Sequence, residues 1–307
     1  MEIKRLELPL QNKKTIKLYE KLTTEENHCY LHSCNPYKIP DLTYIALSAI
    51  VDAKPVGLLL ATGVAGVHLA EVRSLYVTEK MRHKGIGTKL MIALEKELRA
   101  GNCIVVTMLY QADIANLKEF EQLLEKCKWI ASSALIYRYY FKAAEFNPPW
   151  FLKCYQFPEG FTLFPFVNLT IQEKNELKRR QEQWNFPAII SPFLDEEHIE
   201  YSNSFGLKKN EEIIGWMIIH RLNESTIRYS SLYIEPKYQF QGFSIMLLIH
   251  SIKINQELIK RGHPAIWSVF DLNVDQTESS WQQFITRRLA PYAEKKIVIN
   301  STWKDLR

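Results

Sequence analysis

The sequence predicts an α+β protein made of two tandem domains of one topology, and three observations carry that expectation. Its 307 residues suit two domains of about 150 residues each. Strand-length apolar runs and helix-length amphipathic segments follow one another in the same order in both halves. Two short segments then recur at a fixed spacing. Arg73-Ser74-Leu75-Tyr76-Val77 matches Ser230-Ser231-Leu232-Tyr233-Ile234, and Gly85 matches Gly242, both 157 residues further on. A period of that size points to a duplicated domain and not to a solenoid.

In the first half a strand is expected near residues 2–8 and a helix near 15–22. Strands follow at 43–50, 56–62 and 67–77, then a helix at 85–99 with Ile86, Leu90, Leu94 and Leu98 on one face. A strand at 103–109, a helix near 115–126 and a strand at 132–141 complete the set. The second half opens with a strand at 161–166 and a helix from Thr170, where Thr170-Ile171-Gln172-Glu173 reads as a capping box. Strands are expected near 200–208, 213–220 and 227–234, then a very apolar helix at 242–258. A strand at 265–270, a helix near 278–289 and a strand near 296–300 end the series. Asn147-Pro148-Pro149-Trp150 breaks regular structure, so the domains are drawn at 1–145 and 160–307 with a linker at 146–159.

Composition excludes several classes. With 47% hydrophobic and 24% charged residues, the chain is neither disordered nor fibrous. No apolar run reaches the roughly 18–20 residues of a membrane span, and the first residues lack the apolar core of a signal peptide, so a cytoplasmic protein is expected. Lys and Arg number 39 against 34 Asp and Glu, divided 20 to 16 in residues 1–150 and 19 to 18 in residues 151–307. Without a basic tract this is no nucleic-acid footprint. Five loosely spaced cysteines suit free thiols in a reducing compartment. The tract from His28 through Cys29 and His32 to Cys34 gathers possible metal ligands, but no second pair follows it, so no metal site is expected.

The segment that carries chemistry runs from Glu71 to Leu90: a strand, a short turn, then a helix whose first turn holds Gly85 and Gly87. Free amides and the positive dipole end of a helix start bind phosphate, and glycines there let an anion approach the backbone. Arg82, His83, Lys84 and Lys89 crowd the same point. Each cation there costs the helix about 0.3–1 kcal/mol, which a bound anion reverses, so the cluster points to a ligand site. The P-loop spacing is absent, and a dinucleotide fingerprint would need a glycine at Leu90.

Arg82-His83-Lys84-Gly85-Ile86-Gly87 resembles the [RQ]-x-x-G-x-[GA] signature of the GNAT superfamily of N-acyltransferases, in the strand–turn–helix context that family gives it. The segment from Asn116 to Trp129 also stands where the family has a helix, and Gln239-Phe240-Gln241-Gly242-Phe243-Ser244 resembles a weakened second copy. The resemblance covers nearly the whole chain as two domains, each a central, mostly antiparallel sheet with flanking helices. It implies acetyl-CoA or another acyl-CoA as co-substrate and an amine-bearing small molecule, peptide or protein as acceptor. The diphosphate would lie on the amides of Arg82, His83, Lys84, Gly85, Ile86, Gly87 and Thr88. The pantetheine arm would run along Leu75, Tyr76 and Val77 as an added strand, with the thioester carbonyl polarised by an amide there.

Glu71 matches the glutamate that serves some protein-acetylating members as general base, although a strand-edge glutamate that only meets solvent would look the same. The usual acid tyrosine is replaced by Leu124, leaving Tyr76 and Tyr110 as alternatives. The second copy carries Arg228 in place of Glu71. The first domain is therefore expected to bind the donor and catalyse, and the second to be a degenerate copy that closes the acceptor cleft. The apolar helix at 242–258 reads most simply as core; an alternative is that it accepts a long acyl chain, making the enzyme a fatty-acyl transferase. A non-catalytic acyl-CoA sensor is a rival from another class. An aminoacyl-tRNA-dependent transferase would need a stronger basic surface.

Overall fold

The computed structural model describes residues 1–32, 42–64, 66–152, 157–184, 190–274 and 280–307. They divide into two units, Met1–Ile136 with Ile297–Arg307 and Tyr137–Lys296.

In unit 1 the strands are the short, mostly charged β1 (Glu2–Arg5) and the more apolar β2 (Leu42–Val51), β3 (Lys54–Val64), β4 (Leu69–Val77) and β5 (Val105–Gln111). The strand order is β1-β2-β3-β4-β5 with β12 (Lys295–Asp305) beside β5. Every pairing is antiparallel except β4 with β5. Both faces are covered. On β3, Leu58 and Leu60 pack with α1 (Lys13–Glu20) and α2 (Cys29–His32), while Leu59 and Ala61 pack with α3 (Ile86–Ala100) and α4 (Leu117–Lys126). Two-sided burial explains why the β3 sequence is continuously apolar and not alternating. The expected stripe of α3 is the buried one, and Leu90 and Leu94 are fully covered, so truncating either to alanine costs about 2–5 kcal/mol.

Unit 2 contains most of β6 (Ser133–Lys142), then β7 (Phe161–Pro165), α5 (Ile171–Trp184), β8 (Phe205–Lys209), β9 (Glu212–Asn223) and β10 (Thr226–Ile234). After these come α6 (Phe243–Lys260), β11 (Trp267–Asn273) and α7 (Ser280–Phe284). Its strand order is β6-β11-β10-β9-β8-β7. The capping box forms as read: the Thr170 amide donates to Glu173 at 2.8 Å and the Glu173 amide to the Thr170 hydroxyl at 3.2 Å. The apolar face of α6 is filled by its own core, with Phe243, Leu247, Leu248 and Ile252 packed among Tyr229, Phe270 and Leu272.

The duplication is written into backbone detail. Arg73 is an extra residue between the pairs Ala61–Val72 and Leu60–Ser74; Ser230 is extra between Ile219–Tyr229 and Ile218–Ser231. The two bulges thus fall 157 residues apart, the spacing found in the sequence.

Several local expectations change. The strand expected from residue 200 begins at Phe205, because Ser204 turns back to hydrogen-bond the Glu200 carbonyl at 2.9 Å. The expected helix at 278–289 is a short α7 that continues as a π-helix, Ile285–Leu289, just before Pro291. Cys29–His32, expected as loop, is helical. The sequence gives each copy its own last strand, whereas residues 297–307 belong to unit 1 and residues 137–145 to unit 2. Periodicity reports that a strand exists and not which neighbour it pairs with.

Cys34 lies outside the described residues. Among the described residues, His28 and His32 serve the α1–α2 contact through the Glu20 carbonyl and carboxylate, and no group of residues could hold a metal ion. No described helix is long and apolar enough to cross a membrane.

Candidate functional site

The site follows from the one parallel pairing of unit 1. The β4–β5 ladder runs from Leu69–Val105 to Val72–Met108 and stops, while β4 continues to Val77 and β5 to Gln111. β3 still pairs along β4 as far as Val77. One edge of β4 beyond Val72 therefore keeps its peptide groups available to a ligand, as a sheet edge does for an added strand. The Arg73 bulge resets the alternation: Val72 faces α3, and after the bulge Leu75 and Val77 face it, leaving Tyr76 to pack toward α1 and α2.

The parting strands open a cleft of about 740 Å³. Leu75, Tyr76, Val77, Arg82, His83, Gly85, Ile86, Gly87, Thr88 and Tyr110 all line it. Lys84 does not; it is exposed and sits over the Met81 sulfur at 3.6 Å. Glu71 is also missing from the lining. Its carboxylate accepts from the Arg73 guanidinium at 2.8 Å, and Arg73 itself lines the wall.

The turn into α3 is a cradle of donors. Its side-chain brace is Arg82, whose Nε donates to the Val77 carbonyl at 3.0 Å with the guanidinium over the Tyr76 ring. His83 and Gly85 take left-handed conformations, φ 60° and 74°, and Gly85 caps the helix without a side-chain acceptor. The first helical bond runs from the Lys89 amide to the Gly85 carbonyl. Among the described residues, the amides of residues 83–88 have no protein acceptor. Aligned with the dipole, these donors favour a diphosphate. The two glycines have separate reasons. A Cβ at Gly85 would meet nothing within 4 Å, so that position needs its backbone angle; a Cβ at Gly87 would lie 2.5 Å from Leu123 of α4.

The expected acids differ in setting. Tyr110 is packed edge-on against Phe120, with its hydroxyl 2.6 Å from Ser132 Oγ and 3.1 Å from Glu121 Oε1. Burial raises its pKa, so it keeps its proton through the neutral range. Leu124 lies in the core. A polar wall not marked by the sequence faces the cleft from the segment between α1 and α2: Thr24, Glu26 and Asn27, tied to β4 through Thr23 Oγ1, which donates to Ser74 Oγ at 2.8 Å. Only the N-cap character of Thr24 could have hinted at it.

Unit 2 repeats the turn with different side chains around it. Phe240 and Gly242 have φ 64° and 83°, and Gln239 Nε2 donates to the Ile234 carbonyl at 3.0 Å. Arg228, in the place of Glu71, is 3.7 Å from Asp271, whose two oxygens each accept from Arg138 at 2.7 Å. Opposite Arg228 on β9, His220 is held neutral with its pKa lowered to about 4, first by burial and then by the Arg228 charge.

Residues 15–123 match the model of the acetyltransferase (GNAT) family. No curated protein sequence matches the chain. Among solved structures, the chain is similar over its full length to a tandem GNAT protein from the clavulanic acid biosynthesis pathway, at 11% identity and TM-score 0.70, covering 99% of that chain. It is similar over 99% of its length to a glucosamine N-acetyltransferase region of a fungal multi-domain β-N-acetylglucosaminidase, at 14% identity and TM-score 0.66, covering 38% of that chain. A GCN5-related N-acetyltransferase from Sphaerobacter thermophilus matches 86% of this chain and 81% of its own, at 16% identity and TM-score 0.54. At these identities the structural likenesses speak for the fold.

Proposed function

We propose that this chain, which belongs to the GNAT superfamily through residues 15–123 and has the tandem GNAT fold over its whole length, transfers an acyl group, with acetyl as first choice, from coenzyme A to an amine. The observation that carries the reading is the joining of two features at one cleft: acceptor-free amides at residues 83–88 and the open edge of β4 beyond Val72. The amides hold the diphosphate. The β4 edge takes the pantetheine arm along Leu75, Tyr76 and Val77, and an amide there polarises the thioester carbonyl. The amine attacks that carbon, the carbon–sulfur bond breaks, and free coenzyme A leaves.

Glu71 is the proposed base, with Arg73 fixing its carboxylate. Tyr110 is the acid best supplied with a proton, and Tyr76 lies along the arm. Unit 1 carries the reaction; unit 2 has kept the turn and replaced the acid with Arg228. The packed face of α6 favours acetyl over a long acyl chain held there. A reducing, cytoplasmic setting belongs to the same proposal, and the free thiols of Cys103 and Cys127 support it.

Calorimetry with acetyl-, octanoyl- and palmitoyl-CoA, followed by thiol release with a panel of primary amines, tests the reading. Binding of acetyl-CoA with turnover supports it. Binding without turnover on any amine would leave the sensor, and no uptake of any thioester would end the donor assignment.

A further inference from the structure

Where unit 1 has Glu71 paired with Arg73, unit 2 has Arg228 and Ser230, and the exchange leaves a positive charge only partly compensated. The backbone setting is the same. The β10–β11 ladder runs from Thr226–Trp267 to Arg228–Val269 and stops, while β9 stays with β10 as far as Ile234 and β11 continues to Asn273. Where the strands part, four polar side chains stand on neighbouring strands: Arg138 on β6, Asp271 on β11, Arg228 on β10 and His220 on β9. Their chain neighbours Tyr139, Phe270, Tyr229 and Ile219 all pack in the α6 core, so these four point to the other face.

The charges of this row do not cancel. Both oxygens of Asp271 accept from Arg138 at 2.7 Å, which spends that carboxylate. Arg228 donates through Nε to Ser230 Oγ at 2.9 Å, but its Nη1 is 3.7 Å from Asp271, beyond hydrogen-bond length. Its two terminal nitrogens have no hydrogen-bond acceptor among the described residues, although the side chain is only 24% exposed. His220 adds no charge; its Nε2 carries the ring hydrogen toward the Leu194 carbonyl at 2.9 Å. The exposed Asp195 makes no hydrogen bond to Arg228, and burial lowers the Arg228 pKa against the pull of Asp271 and Asp195.

We propose that Arg228 is the recognition group of a second ligand site, within unit 2, that takes a carboxylate. A guanidinium offers parallel N–H donors that match the two oxygens of a carboxylate. One surplus positive charge suits a monoanion, whereas a phosphate dianion would bring its second charge against Asp271. Acyl transfer in unit 1 is not required for such a site.

The test is titration calorimetry of the full chain with N-acetylalanine, with its amide, which lacks only the carboxylate, and with inorganic phosphate. The acid should bind at least tenfold more tightly than either of the others. R228Q should abolish that preference, and R228K, which keeps the charge and loses the fork, should weaken the acid about tenfold, with a thermal melt beside each. No preference for the acid over the amide in the native chain, a preference that survives in folded R228Q, or phosphate bound more tightly than the acid would each overturn the proposal. If R228Q melts below the assay temperature, R228K decides, and an unchanged affinity there overturns the proposal. The donor site of unit 1 is read separately, by acetyl-CoA affinity, and none of these outcomes bears on it.

Discussion

Gly85 offers a measurement in which backbone angle alone decides ligand affinity. It caps α3 at φ 74°, and a Cβ there would meet nothing within 4 Å, so Gly85→Ala introduces no clash. The cost is conformational: an L-residue with a Cβ pays roughly 1–2 kcal/mol in the left-handed region. If the turn holds that shape only when the cradle is intact, the whole cost falls on donor binding. At about 1.4 kcal/mol per factor of ten, acetyl-CoA should bind roughly 5–30-fold more weakly to G85A. Gly85→Asn should fall between the two, since asparagine visits this region more readily than alanine. Gly242→Ala makes the same change at φ 83° in unit 2 and should leave acetyl-CoA affinity unchanged if only unit 1 binds it. Titration calorimetry of the four proteins is the assay. Full affinity in G85A, or a loss in G242A equal to that in G85A, would refute the reasoning.

Glu71→Gln should lower kcat about 100-fold or more while acetyl-CoA affinity holds, and a kcat within threefold would remove Glu71 from the chemistry. Near pH 7 His220 is neutral both folded and unfolded; because its folded pKa is about 4 against about 6.5 unfolded, acidification through that window should cost unit 2 roughly 3 kcal/mol. His220→Gln should flatten that part of the pH profile of urea unfolding, and an unchanged profile counts against the assignment. Asp271→Ala leaves Arg138 and Arg228 without the carboxylate between them and should destabilise by about 3–5 kcal/mol in the same assay; a loss under 1 kcal/mol would mean the pair is well solvated.

Much of the fold was legible because its cues are local. The stripe of α3, the Thr170 capping box and the continuous apolar run of β3 each lie within one segment, and each formed as read. The 157-residue spacing located two turns whose dihedral angles agree closely. Features that depend on a partner were not legible. The Arg73 bulge, which turns Leu75 and Val77 rather than Tyr76 toward α3, leaves no mark in composition or period. The reason for Gly87 is Leu123, on another helix. Thr24, Glu26 and Asn27 look like an ordinary polar connection, and only the fold sets them across from Ser74.

Because β12 supplies unit 1's sheet next to β5, the wall that carries Tyr110 has its neighbouring strand only after about 160 intervening residues of unit 2 have been made. Lys304 on β12 also reaches Glu95 of α3 and the Cys127 carbonyl, anchoring both helices of that face. At roughly 5–20 residues per second, a ribosome needs on the order of 10–30 s to bridge that gap. For that interval the nascent first unit carries β5 with one edge uncapped, and its sheet is finished only when synthesis has passed through both halves.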